Sequence, residues 1–333
     1  MRIKVVAELT SIFSNLVIHS PTNFTFRGKP FQVDTTPGRS ALDSDPFVSL
    51  LQTSLYIEAY ARHFNRAALG PTQVAKQIDL TPVLAAANSG RERWIPDWRI
   101  TQVLASGQIA AQRFGLNRLL WPGEFISADA VGGAPRPGAA ISVLWKREST
   151  TTQPGFYFAY GEAIADQMEE SPLVRFYFNL GPDGTPLAIR HLSAVLNRFR
   201  VPFRFKCLSD PRLYPRADAG VLYIGRKFYR ICSELLFELH SKLAMELDEE
   251  VPLFCLRLAK GLGLAEDPGT GESFGMARCR LLAQGLADAF AKGKQSLEAR
   301  LEATEARFKG AGLDLDRPYL NPGSPGNYPW PEP

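Results

Sequence analysis

Histidine and cysteine are scarce in this chain, four of each among 333 residues. Cys207, Cys232, Cys255 and Cys279 stand about two dozen residues apart, and no Cys-x-x-Cys pair occurs. That excludes the usual spacing of a zinc cluster. Three of the four sit in apolar runs, where a thiol is a small core residue. Such use of cysteine fits a reducing compartment, and a cytoplasmic location is expected. Charge of one sign is lacking too. With 38 basic and 34 acidic residues the formal net charge is only +4, too balanced for nucleic-acid binding on charge alone. A local basic pocket remains allowed. No run reaches transmembrane length without a charge. Residues 1–8 have no long apolar core behind their charges, unlike a secretory signal. No membrane partner is expected.

Common catalytic templates are missing as well. There is no Gly-x-Ser-x-Gly elbow, no His-Glu-x-x-His helix, and no loop ending in Gly-Lys-Ser/Thr, which disfavours nucleotide hydrolysis. Leu213 stands where a phosphatase loop opened by Cys207 needs an arginine, and Gly261-Leu262-Gly263 is too short for a dinucleotide fingerprint. No metal or organic cofactor is expected.

What is present is the composition of a globular chain, 45% hydrophobic and 22% charged, long enough for one large domain or two ordinary ones. Residues 1–137 read as a mostly helical region with irregular loops. Asp43-Ser44-Asp45-Pro46 is a helix start, and residues 47–64 carry Leu50, Leu51, Leu55, Ile57 and Ala61 at helical spacing. Trp94, Trp98 and Trp121 read as core or loop anchors. The breaker cluster at 132–138, Gly-Gly-Ala-Pro-Arg-Pro-Gly, marks a boundary. Beyond it the period changes to two: Ile141, Val143 and Trp145; Phe156, Phe158 and Tyr160; Val174, Phe176, Phe178 and Leu180; Phe203, Phe205 and Cys207. Helical patterns at 187–199, 228–247 and 274–309 interrupt these strands, the last weakened near Gly293. The fold class that follows is α+β: a mainly antiparallel sheet flanked by helices, with a mostly helical N-terminal part. The α+β domain covers 138–320, and 321–333 is an irregular tail rich in Pro and Gly.

The alternation locates candidate chemistry. If Phe203, Phe205 and Cys207 face the core, Arg204 and Lys206 face away from it, and on the earlier strand Arg175 and Tyr177 oppose Val174, Phe176 and Phe178. Two strands thus offer a basic floor. The turn-rich loop 210–218 adds Arg216. The glycine-rich loop 269–275 opens onto a helix carrying Arg278 and Arg280, an arrangement that can bind anions. His63 and His240 read as structural, while His191 falls early in the helix just before the Lys206 strand.

Three runs, Phe176-Tyr177-Phe178-Asn179-Leu180, Arg190-His191-Leu192-Ser193 and Val201-Pro202-Phe203-Arg204-Phe205-Lys206, resemble the HopA-type effector family of plant-pathogenic bacteria. Tyr214-Pro215-Arg216-Ala217-Asp218-Ala219-Gly220-Val221-Leu222-Tyr223 and Glu272-Ser273-Phe274-Gly275-Met276-Ala277-Arg278 continue the resemblance, which covers roughly 174–286. HopA-like proteins also act as lyase partners in class V lanthipeptide and thioamitide biosynthesis. There a kinase-like protein phosphorylates a precursor peptide and the HopA-like protein eliminates phosphate. The stretch is also distantly similar to phosphothreonine lyases of the OspF and SpvC type. That resemblance implies His191 as general acid and Lys206 as general base, with Arg216 and Tyr223 near the phosphate. Those lyases carry a Lys two residues before the His, where this chain has Ile189.

The expectation is therefore a phosphothreonine/phosphoserine lyase working without a cofactor on a phosphorylated precursor peptide. Lys206 and His191 would be catalytic, and Arg216, Arg278, Tyr223, Arg175 and Arg204 would hold the phosphate. A kinase-like phosphotransferase is the expected partner. The alternative is a type III effector-like interaction protein that binds a phosphopeptide or host protein without catalysis.

Overall fold

The computed structural model describes residues 2–34, 45–61, 79–127, 133–164, 172–214 and 216–332. Helix α1 (Arg2–Ser14) buries Val5, Leu9, Ile12 and Phe13 as one stripe. Past it, the buried Arg300 donates to Phe13 O and Leu16 O, both at 2.8 Å, satisfying carbonyls at the helix end. A three-stranded antiparallel meander follows: β1 (Leu16–Ser20), β2 (Asn23–Phe26) and β3 (Lys29–Gln32). Helix α2 (Pro46–Leu55) starts where its cap dictates. Asp45 accepts from Phe47 N at 2.9 Å, and Pro46 fills the first turn. It continues as a π-helical turn, Tyr56–Tyr60. The rest of the expected 47–64 helix, His63 included, lies outside the described residues. Helix α3 (Thr81–Ala87) precedes a five-stranded antiparallel sheet of β4 (Arg93–Val103), β5 (Ile109–Arg113), β6 (Leu116–Leu120), β7 (Phe125–Ser127) and β8 (Ala140–Trp145), ordered β6-β5-β4-β8-β7. Trp98, Ile100, Ile141 and Val143 belong to its own small core.

Seven strands, β1–β7, thus stand beside α1–α3 before residue 137, where the sequence reading expects mainly helix. Most span three to five residues, too short for their period to separate strand from helix. Strand β8 pairs with β4 and β7 across the breaker cluster, so this sheet draws on both sides of residue 137.

The larger sheet contains β9 (Glu148–Ser149), β10 (Phe156–Tyr160), β11 (Leu173–Phe178), helix α4 (Gly184–Arg198), β12 (Phe203–Leu208), β13 (Gly220–Gly225), helix α5 (Tyr229–Leu243), β14 (Leu256–Ala259) and β15 (Leu262–Glu266) in chain order. Its seven strands run β14-β15-β11-β13-β12-β10-β9, every neighbour antiparallel. Both faces are covered, by different helices. On one, Tyr229 of α5 stacks on Phe176 at 5.9 Å, Phe178 meets Phe205 edge-on, and α4 packs beside α5. On the other, Tyr177 meets Tyr60 of the π turn and Phe274 of helix α6 (Phe274–Ala291).

The pattern at 274–309 is two helices, not one. Gly293, at φ 66°, ends the run after α6, and α7 (Leu297–Gly310) folds back along it, with Ser296 as its cap. After α7 the described residues 311–332 form no helix or strand, and they are docked: Tyr319, Leu320 and Tyr328 are buried. Among the described residues no helix is long and apolar enough to cross a membrane.

Gly275 shows how tightly α6 is seated. A Cβ there would meet Tyr60 Cε1 at 2.4 Å, and Tyr60 is fully buried. Gly275→Ala is expected to destabilise by about 1–3 kcal/mol from overpacking, more than the ~1 kcal/mol that alanine gains in helix propensity. Urea denaturation of the two proteins measures it.

Candidate functional site

Strand register assembles a polar face from residues far apart in the chain. Directly opposed residues of an antiparallel pair share a face. One cross-strand row therefore reads Ala265, Arg175, Tyr223, Arg204, Tyr160, and the next reads Gly263, Tyr177, Val221, Lys206, Phe158, Ser149. Lys206 and Arg204 are two residues apart on β12, and Phe203, Phe205 and Cys207 fill the opposite face, buried. Five of the residues read from the sequence come together here: Lys206, Arg204, Arg175 and Tyr223 on the sheet, and Arg216 on the loop before β13.

Each cation on this face is held differently. Arg175 donates to Asp267 from Nε at 2.7 Å, and its guanidinium lies 5.2 Å from the Tyr223 ring centre. Arg216 grips Asp218 with two nitrogens, the second at 2.7 Å, and also donates to Tyr56 Oη at 2.9 Å; Tyr56 in turn donates to Asp218 at 2.9 Å. Burial alone would raise the Asp218 carboxyl. Arg216, helped by Tyr56 and Lys206, outweighs it and keeps the carboxyl below its usual range. Arg175 and Arg216 are thus rigid and already neutralised.

Arg204 and Lys206 are not. The Arg204 guanidinium lies over Tyr223 at 4.4 Å, and it makes no hydrogen bond or ion pair with any described residue; its Nε is buried. Lys206 Nζ donates to Gln153 Oε1 at 2.6 Å and lies 3.8 Å from the Phe156 ring centre. Burial pushes its amine down to about 8. Asp218 opposes this, while Arg216, Arg175 and Arg204 add to it. Among the described residues the face therefore carries two positive charges without a carboxylate in contact, and one belongs to an amine that can lose its proton near neutral pH.

Two sequence-selected residues lie elsewhere. His191 is on α4, which covers the Phe176 and Phe205 face, so the sheet stands between its ring and Lys206. Its charged neighbours are Lys242 and Arg190. Burial, then these cations, lowers its basicity, the wrong direction for a general acid at neutral pH. Arg278 is buried, donating from Nε to Pro318 O at 2.8 Å and from Nη2 to Leu320 O at 2.9 Å, so it holds the chain after α7 in place. The start of α6 is likewise occupied: Ser273 accepts from Met276 N, and Glu272 takes Arg280 at 3.2 Å. Tyr56, Asp218, Gln153, Phe156 and Asp267 complete the face; in the sequence Phe156 stood out only as part of a strand pattern and Asp218 only within a matching run, and none of the five was given a role. Tyr56 and Asp218 meet across 162 residues. Among the described residues no group of three or more His, Cys, Asp or Glu could hold a metal ion.

The chain resembles two solved structures, both Pseudomonas syringae effector proteins. One is from pathovar tomato strain DC3000, with 22% identity and a TM-score of 0.38. The other is from pathovar syringae strain 61, with 17% identity and a TM-score of 0.36. Each match covers 50% of this chain and 63% of the other, so it spans less than two thirds of either effector. Among curated proteins no match is found. The profile of the HopA1 effector protein family matches residues 147–320, which holds the seven-stranded sheet, α4 to α7 and every residue of the polar face except Tyr56; the chain belongs to the HopA1 effector protein family.

Proposed function

We propose that the polar face binds a phosphorylated serine or threonine of a peptide and eliminates its phosphate. The observation that carries this reading is a pair of cations, Arg204 and Lys206, that no carboxylate among the described residues contacts, one of them an amine lowered to about 8. At pH 7 roughly a tenth of such an amine is neutral, against roughly 0.03% for a lysine at its ordinary value.

The neutral amine takes the α-proton of the phosphorylated residue. The C–H electron pair becomes the Cα–Cβ double bond, the Cβ–O bond breaks, and phosphate leaves with that bond's electrons. Dehydrobutyrine or dehydroalanine remains in the peptide, and Lys206 returns its proton to water. Arg204 meets the phosphate charge first. Arg175 and Arg216, fixed by their carboxylates, add field without reorganising. The leaving group departs as an anion among cations, so the reaction as drawn asks nothing of His191. In a biosynthetic setting a kinase-like partner would supply the phosphate, and a precursor peptide would be the substrate.

The test is mass spectrometry of a phosphothreonine peptide incubated with the protein. Elimination yields a peptide one water lighter than its unphosphorylated form. The rate is expected to rise with pH and level off above about 8, because the base works only when deprotonated. A phosphopeptide that binds but never loses phosphate, at any pH and with biosynthetic partners present, would replace the lyase reading with a binding protein of the effector type.

A further inference from the structure

Between the five-stranded sheet and the β9–β10 edge of the larger sheet lies a cavity of about 570 Å³, inside the range of ligand pockets, about 300–1,000 Å³. Two features join it to the Lys206 face. Arg204 lines the cavity and is directly opposite Tyr160, which lines it too. The loop 150–155 gives Gln153 to Lys206 and Thr151 and Thr152 to the cavity wall. The cavity and the Lys206 face therefore share Arg204 and the loop 150–155.

The wall has a sign. Arg118, Lys146 and Arg204 line it against one acidic residue, Glu124. Glu124 is already engaged, accepting from Lys146 at 2.6 Å. The Arg118 guanidinium lies 4.4 Å from the ring centre of Trp145, and Trp145 is fixed by Nε1 donating to Gly161 O at 2.9 Å. The result is a cation held on a fixed aromatic platform, next to an arginine shared with the phosphate face.

We infer that this cavity docks the residues flanking the phosphorylated one and selects an acidic flank. The inference rests on the phosphopeptide reading of the Lys206 face and names the class of peptide that face would accept. It is tested by fluorescence anisotropy with two phosphothreonine peptides that differ only in a flank of aspartates or of lysines. The wild-type protein is expected to bind the aspartate-flanked peptide about tenfold more tightly. Arg118 is exposed on β6, and Arg118→Glu is expected to abolish or invert that ratio. Because the readout is a ratio of two peptides on one protein, a partly misfolded variant leaves it interpretable. Equal affinity for both flanks, or a preference unmoved by Arg118→Glu, overturns the inference and leaves the Lys206 face intact as a phosphate site. Failure of either peptide to bind better than its unphosphorylated form overturns the phosphopeptide reading, and this inference with it.

Discussion

Lys206→Ala is expected to slow elimination by about 10²–10⁴-fold, as loss of a general base typically does, or roughly 3–5 kcal/mol of barrier. Phosphopeptide affinity should fall only a few-fold, because Arg204, Arg175 and Arg216 remain. The variant should also fold normally: apart from Gln153 and the rings of Phe156 and Phe158, Lys206 has no close partner among the described residues that an exchange would orphan. Lys206→Arg sharpens the result. It keeps the charge but offers a guanidinium that does not deprotonate in proteins, so binding should persist while turnover disappears. His191→Ala is the counterpart, since α4 lies across the sheet, and its rate should match the wild type. Single-turnover mass spectrometry with a phosphothreonine peptide measures all three. Turnover that survives in Lys206→Arg would remove the lysine from the role of base.

Asp218→Ala is expected to cost about 3–5 kcal/mol of stability, because it leaves Arg216 and Tyr56 without the buried carboxylate they share. The same change acts on Lys206. Asp218 is the anion that opposes the lowering of its amine, so in Asp218→Asn, which keeps the shape, the pH at which elimination levels off should fall below about 8. Denaturant unfolding reads the first effect and the pH–rate profile the second. A loss under about 1 kcal/mol with an unmoved profile would mean that water screens the trio.

Much of this site could be read from one dimension, and the part that could not has a common cause. The alternation of Phe203, Phe205 and Cys207 against Arg204 and Lys206 follows from the period of a strand, and the structure keeps it residue for residue. The start of α2 needed only Asp45 and Pro46. His191 had the right residue type in a suggestive place, but a helix period gives the buried stripe, not which side of a distant sheet the stripe lies against. Arg278 follows a glycine-rich loop, and that local pattern is the same whether the guanidinium meets a ligand or, as here, carbonyls about 40 residues further on. The Gly293 break was visible as a weakness; only the packing of α7 back on α6 turns it into a hairpin.

The two rows across the sheet have a kinetic side. Lys206 meets Phe158 through one strand pair and Val221 through another, and Arg175 reaches Tyr223 only when β11 and β13 have found each other. Long-range pairings of this sort are slow to form, since their loop-closure entropy is lost before their contacts are gained. Residues 203–225 carry four of the five, Lys206, Arg204, Arg216 and Tyr223, but their strands lie between β11 and β10 in the sheet, and Arg175 joins them only through β11. A destabilised variant should then be a mixture of molecules with the whole face and molecules with none of it. Its lost activity would appear as a smaller active fraction with an unaltered KM, so titrating active protein separates a folding defect from a chemical one.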